Sequence, residues 1–180
     1  MGEGREAPSL ESFFEMTWLR LEALARTAIR LWALAGGLIL VALAVMTAAS
    51  AVSNLAADRP FAPDYELMKH FVAVAVFTFL PWCQLVGGNV SADIFTERMG
   101  AKGKAAMALL AAVLAAAFAG LLLVQMYGGM LGYLKYPEET PVLRLPLWTA
   151  FPPILLSLAL LLVAAAISGR EALATLKAGR

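Results

Sequence analysis

The 180-residue sequence is poor in the residues that carry most protein chemistry: one cysteine, one histidine, and only 15% charged side chains. Each scarcity excludes something. Cys83 has no second cysteine with which to form an internal disulfide, a redox pair or a zinc site. His70 alone cannot supply bis-histidine haem ligation or a two-histidine metal motif. With a net charge of +1 and no basic patch, the chain is not expected to bind nucleic acid. Among four-span membrane proteins, a disulfide oxidoreductase needs paired cysteines and a haem-b anchor normally needs two histidines. A small multidrug exporter is shorter and carries a carboxylate inside its first span. None of these fits, and no cofactor is expected within this chain.

What is present is apolar. The chain is 61% hydrophobic with mean hydropathy +0.76, whereas soluble domains carry roughly 25% charged residues. The expected fold is therefore an all-α integral membrane protein, a single domain over residues 1–180. Four transmembrane helices are expected at about 31–52, 70–90, 105–134 and 147–168, since a bilayer core needs about 20 helical residues. Before them, residues 9–30 read as an amphipathic interfacial helix capped by Ser9. Leu10, Phe13, Phe14, Trp18, Leu21 and Ala25 share one face of it, and Glu11, Glu15, Glu22 and Arg26 the other. The acidic start does not resemble a signal peptide, and Ala48 to Ala51 reads as part of a retained anchor.

Span two is the most informative stretch. It passes through Pro81, which should kink it or end its regular part, and leaves through Gly87, Gly88 and a polar tail, Asn89 to Asp93. Span three ends in Gly128, Gly129 and Gly132, a small-residue pattern that lets helices approach closely. Pro152 and Pro153 fall in the first turns of span four, where proline is tolerated. Trp18, Trp82 and Trp148 are expected as interfacial anchors.

Topology follows from the basic residues. An inside N-terminus puts Arg5, Arg20, Arg26, Arg30, Arg98, Lys102, Lys104, Arg170, Lys177 and Arg180 on the cytoplasmic side. Arg59, Lys69, Lys135 and Arg144 are left outside, an excess that fits the positive-inside rule. Both termini are then cytoplasmic, and the sequon Asn89-Val90-Ser91 is discounted because it lies inside. No Asp, Glu, Lys or Arg stands within a span, so a transport site in this chain is not expected; Gln84 and Gln125 read as interhelical hydrogen-bonding groups. Glu66 and Lys69, three residues apart on a helix, are expected to pair. With Gln84, Asn89 and Asp93 they are the candidate partner-interface residues.

Two short stretches carry a family resemblance. Glu66-Leu67-Met68-Lys69 is an acidic-basic step before span two, which exits through Asn89-Val90-Ser91-Ala92-Asp93. The loop Thr140-Pro141-Val142-Leu143-Arg144-Leu145-Pro146 leads into span four, where Phe151-Pro152-Pro153 follows Leu147-Trp148. Both resemble the small membrane subunit of a tripartite ATP-independent periplasmic (TRAP) transporter, with Lys69 where that family usually has Arg and Asn89 where it has His. The resemblance implies a bacterial inner-membrane subunit that scaffolds a large membrane subunit holding the sodium and substrate sites. It also implies a periplasmic substrate-binding protein that delivers an organic anion, often a carboxylate. Two other classes stay open: a non-catalytic anchor subunit of another membrane complex, and a stand-alone small transporter.

Overall fold

The structure, a computed structural model, describes residues 10–57, 63–87 and 100–178. These form four long helices: α1 (Leu10–Ala57), α2 (Asp64–Leu85), α3 (Ala101–Lys135) and α4 (Phe151–Ala178), the last preceded by a 3₁₀ turn at Leu147–Ala150. All four are long and apolar enough to cross a membrane, and no strand occurs among the described residues. Asn89 and Asp93 lie outside them.

The segment expected as a separate N-terminal helix runs without a break into span one, giving a 48-residue α1. No proline interrupts the join, and an i,i+4 ion pair from Arg26 to Glu22 (2.9 Å) supports it. At 1.5 Å per residue α1 is about 70 Å long, more than twice the hydrocarbon thickness. Span two is shifted toward the N-terminus: α2 starts at Asp64, whose charge and that of Glu66 favour a helix N-terminus. It ends one turn beyond Pro81, where Gly87 turns left-handed (φ +64°). Pro152 and Pro153 do occupy the first turn of α4, which then continues to Ala178, ten residues past the expected end of the span.

Packing follows the order α1–α2–α4–α3. α1 lies on α2, α2 on α4, and α4 on α3, while α1 touches α4 only marginally. The helices thus stand as an open row rather than a closed bundle. Small residues recur in each seam among larger apolar ones, as expected where apolar burial gives no driving force between helices in lipid. On α1 the seam is Ile29, Ala33, Gly36, Leu43 and Ser50, spaced at three, four and seven. At Gly36 even a methyl group would sit 1.7 Å from the Thr78 hydroxyl oxygen, so only glycine permits this crossing. On α3 the buried residues are Ala105, Ala112 and Ala119, seven apart, and Ala112 faces Gly169 of α4.

Central α4 is buried on both sides, through Ile154, Ser157, Leu158, Leu161, Ala164, Ala165 and Ile167. Val74, Ala119, Ile154, Leu158 and Leu161 form the apolar core where α2, α3 and α4 meet. Among the polar links between the marginal pair, Trp32 Nε1 donates to Ser157 Oγ (2.9 Å), which donates to the Pro153 carbonyl (2.8 Å). The outer faces remain apolar and uncovered: Leu31, Leu34, Leu38, Val41 and Val45 on α1, and Leu110, Val113, Leu114, Phe118 and Leu121 on α3.

Candidate functional site

Polar side chains gather at the two ends of the row. At the end where α2 begins, the connector between α3 and α4 folds back over the helix. Its own turn is tight. Thr140 exchanges backbone bonds with its far side, donating N–H to the Leu145 carbonyl (3.0 Å) and accepting from the Arg144 N–H (3.0 Å). The Thr140 hydroxyl accepts the Leu145 N–H (3.0 Å), and Leu147 N–H reaches the Glu138 carbonyl (3.0 Å). Closing so short a loop forces Arg144 into the left-handed region (φ 52°), which costs a non-glycine residue about 1 kcal/mol.

α2 supplies the compensation. Glu66 points inward from its first turn and is nearly inaccessible. Its two carboxylate oxygens accept the backbone N–H groups of Val142 (2.8 Å) and Leu143 (2.9 Å). One turn further, His70 Nε2 lies 3.1 Å from the Thr149 hydroxyl, which stands in the 3₁₀ turn. That hydroxyl donates its single proton to the Pro146 carbonyl (2.7 Å). The imidazole is therefore the donor, protonated at Nε2. Glu66 and His70 together pin the connector to α2.

This corrects the expected Glu66–Lys69 pair. A carboxylate drawn inward needs several donors, and two convergent backbone N–H groups satisfy both its oxygens. Lys69 instead stays on the exposed side with its ammonium 4.7 Å from the centre of the Tyr65 ring. Gln84 is buried against α4, its backbone carbonyl accepting the Ser168 hydroxyl (3.3 Å). Gln125 lies on the exposed face of α3. Trp82 is half-buried in the last turn of α2, Trp148 is exposed in the 3₁₀ turn, and Trp18 is exposed near the start of α1. Asn89 and Asp93 were expected to extend this set and lie outside the described residues.

At the opposite end, α1 meets the extension of α4. Arg26 bridges Glu22 and Glu171, and the Arg170 guanidinium lies 4.5 Å above the Trp18 ring. Sequence reasoning missed these contacts, as it missed His70–Thr149 and the use of Thr140. The one signal available was that Glu66 and the Thr140–Pro146 loop belong to two resembling stretches about 75 residues apart; the fold places them in direct contact. Among the described residues no three His, Cys, Asp or Glu side chains lie close enough together to hold a metal ion, and no buried side-chain polar atom lacks a hydrogen-bond partner.

The family model described as "Tripartite ATP-independent periplasmic transporters, DctQ component" matches residues 43–175. No curated protein and no solved structure matches. The matched region contains the whole pinned connector, all of α2 and α3, α4 as far as Thr175, and the last third of α1.

Proposed function

This chain belongs to the DctQ family, the small membrane component of tripartite ATP-independent periplasmic transporters; on that footing we propose that its task is to scaffold the transporter's large membrane subunit. In this reading the large subunit carries sodium and an organic anion, a carboxylate, which a periplasmic binding protein delivers. The chain lies in the bacterial inner membrane with both termini cytoplasmic, so the pinned connector faces the periplasm. No substrate or ion site is assigned to it.

The observation that carries this reading is the open row. A closed four-helix bundle satisfies itself, whereas a single layer leaves two broad apolar faces, and lipid and a second protein can take one each. The interior chemistry agrees. No Asp, Glu, Lys or Arg stands between residues 31 and 57, 70 and 87, 105 and 134, or 147 and 169. Ion or anion translocation through this chain alone would need such groups at membrane depth. Glu66 and His70 are spent on holding the connector in one shape, which suits a surface presented to a docking partner.

The test is reconstitution of the large subunit with and without this chain, with the binding protein supplied outside. Sodium-driven uptake of a carboxylate should require both membrane chains, and they should copurify. Undiminished uptake by the large subunit alone would refute the scaffold, and uptake by this chain alone would assign it a transport site.

A further inference from the structure

The contacts at the α1–α4 end enclose an open cavity of about 270 Å³ lined by Trp18, Leu19, Glu22, Ile167, Arg170, Glu171 and Ala174. We infer that this cavity seats the headgroup of a zwitterionic aminophospholipid, with Arg170 holding the phosphate and the Glu22–Glu171 pair holding the ammonium.

Depth is the first argument. Arg170 follows Phe151, the first residue of α4, by nineteen positions, or about 29 Å along a helix. That is close to one hydrocarbon thickness of about 30 Å. With Trp148 exposed just before Phe151 at one boundary, Arg170 and the Trp18 ring stand at the other. Arginine and tryptophan are the residues suited to headgroup depth.

Shape and polarity are the second. Ile167, on the side toward the centre of α4, is buried and apolar, and Leu19 adds an apolar wall, so an acyl chain leaving the cavity inward meets hydrocarbon-like surface. On α4 the charged Arg170 and Glu171 follow Ile167 toward the helix end. Trp18 covers one face of the Arg170 guanidinium, and among the described residues no carboxylate pairs with it. Its N–H edge remains for a phosphate, the anion that the planar fork of arginine binds best.

The charge count selects among headgroups. Arg26 sits between Glu22 and Glu171 and can neutralise only one of them. Among the described residues, one carboxylate's worth of negative charge therefore stands opposite the single positive charge of Arg170. A headgroup with phosphate alone would gain Arg170 but meet the surplus carboxylate. A headgroup with both phosphate and ammonium matches both, and its ammonium gains from the Trp18 ring as well.

The full-length chain, purified in detergent, can be titrated with phosphatidylethanolamine, phosphatidylglycerol and soluble glycerophosphoethanolamine while adducts are counted by native mass spectrometry. Phosphatidylethanolamine should bind roughly tenfold more tightly than phosphatidylglycerol, the loss expected for one unmatched charge of about 1.4 kcal/mol. Arg170→Gln should weaken both lipids, because both lose the phosphate contact, and Arg170→Lys should keep most of the affinity. Glu171→Gln should move the preference toward phosphatidylglycerol, a reversal that misfolding cannot produce. Equal binding of the two lipids to the natural chain would overturn the inference, as would a Glu171→Gln protein that leaves their ratio unchanged or an Arg170→Gln protein that binds both as tightly as the natural chain. Soluble glycerophosphoethanolamine binding as tightly as the lipid would overturn the lipid seat. Cross-linking of an Ala174→Cys variant to the large subunit in the assembled transporter would show the cavity to be a protein interface instead.

Discussion

Replacing Glu66 by Gln keeps the size of the side chain and removes one of its two acceptor oxygens. The amide NH₂ that takes its place points at a backbone N–H, so either the Val142 bond (2.8 Å) or the Leu143 bond (2.9 Å) must be lost. A hydrogen bond to a charged acceptor contributes about 1.5–3 kcal/mol. The connector is exposed at both residues, so water takes up the freed N–H and no larger penalty follows. Local opening of the connector should then become roughly 10- to 150-fold more frequent, from the same 1.5–3 kcal/mol. Hydrogen–deuterium exchange of the purified chain reads this directly at the Val142 and Leu143 amides. Protection in the core of α4, around Leu158 and Leu161, should not change. Because Arg144 is held left-handed by the same turn, its amide should lose protection too. Unchanged exchange at Val142 and Leu143 in the Glu66→Gln protein would refute the clamp. Loss of protection throughout α4 would make Glu66 a determinant of the whole fold rather than of the connector.

Gly36→Ala should loosen the α1–α2 seam by about 1–3 kcal/mol through overpacking; thermal unfolding in detergent measures it. Thr78→Ala should restore only part of the loss, since the Thr78 Cβ itself lies 2.9 Å from the added methyl. Trp32→Phe removes the indole donor to Ser157 and should cost about 1 kcal/mol; a Trp32→Phe protein as stable as the parent would show that link to be incidental. Lys69→Ala should weaken copurification of the large subunit while leaving insertion intact, because Lys69 and Tyr65 face away from the chain's own packing. In intact cells, an impermeant thiol reagent should label Glu138→Cys and not Lys102→Cys in a Cys83-free background, and the opposite pattern would invert the topology.

The four segments long and apolar enough to cross a membrane, the lack of charge within the expected spans and the proline-tolerant start of α4 were all legible in the sequence. They follow from length and composition, which the bilayer reads one segment at a time. Glu66 was legible as important, but its partner was not. Spacing along a helix names neighbours three or four residues away, and the donors that Glu66 found are 76 and 77 residues distant. His70 was passed over for the same reason, its partner Thr149 being 79 residues away.

The order of the helices was decided by tertiary structure alone. In a soluble helix the apolar stripe marks the buried face, so sequence announces which side packs. Here the faces turned to solvent-free hydrocarbon and those turned to a neighbour are equally apolar, as Leu34 and Ile29 on α1 illustrate. What separates them is size and fit. Gly36 meets Thr78 across the α1–α2 seam and Ala112 meets Gly169 across the α3–α4 seam, while α2 lies on α4 through Val74 in the apolar core. Sequence determined that the chain has four segments long and apolar enough to cross a membrane; only close packing determined that the four helices stand in an open row.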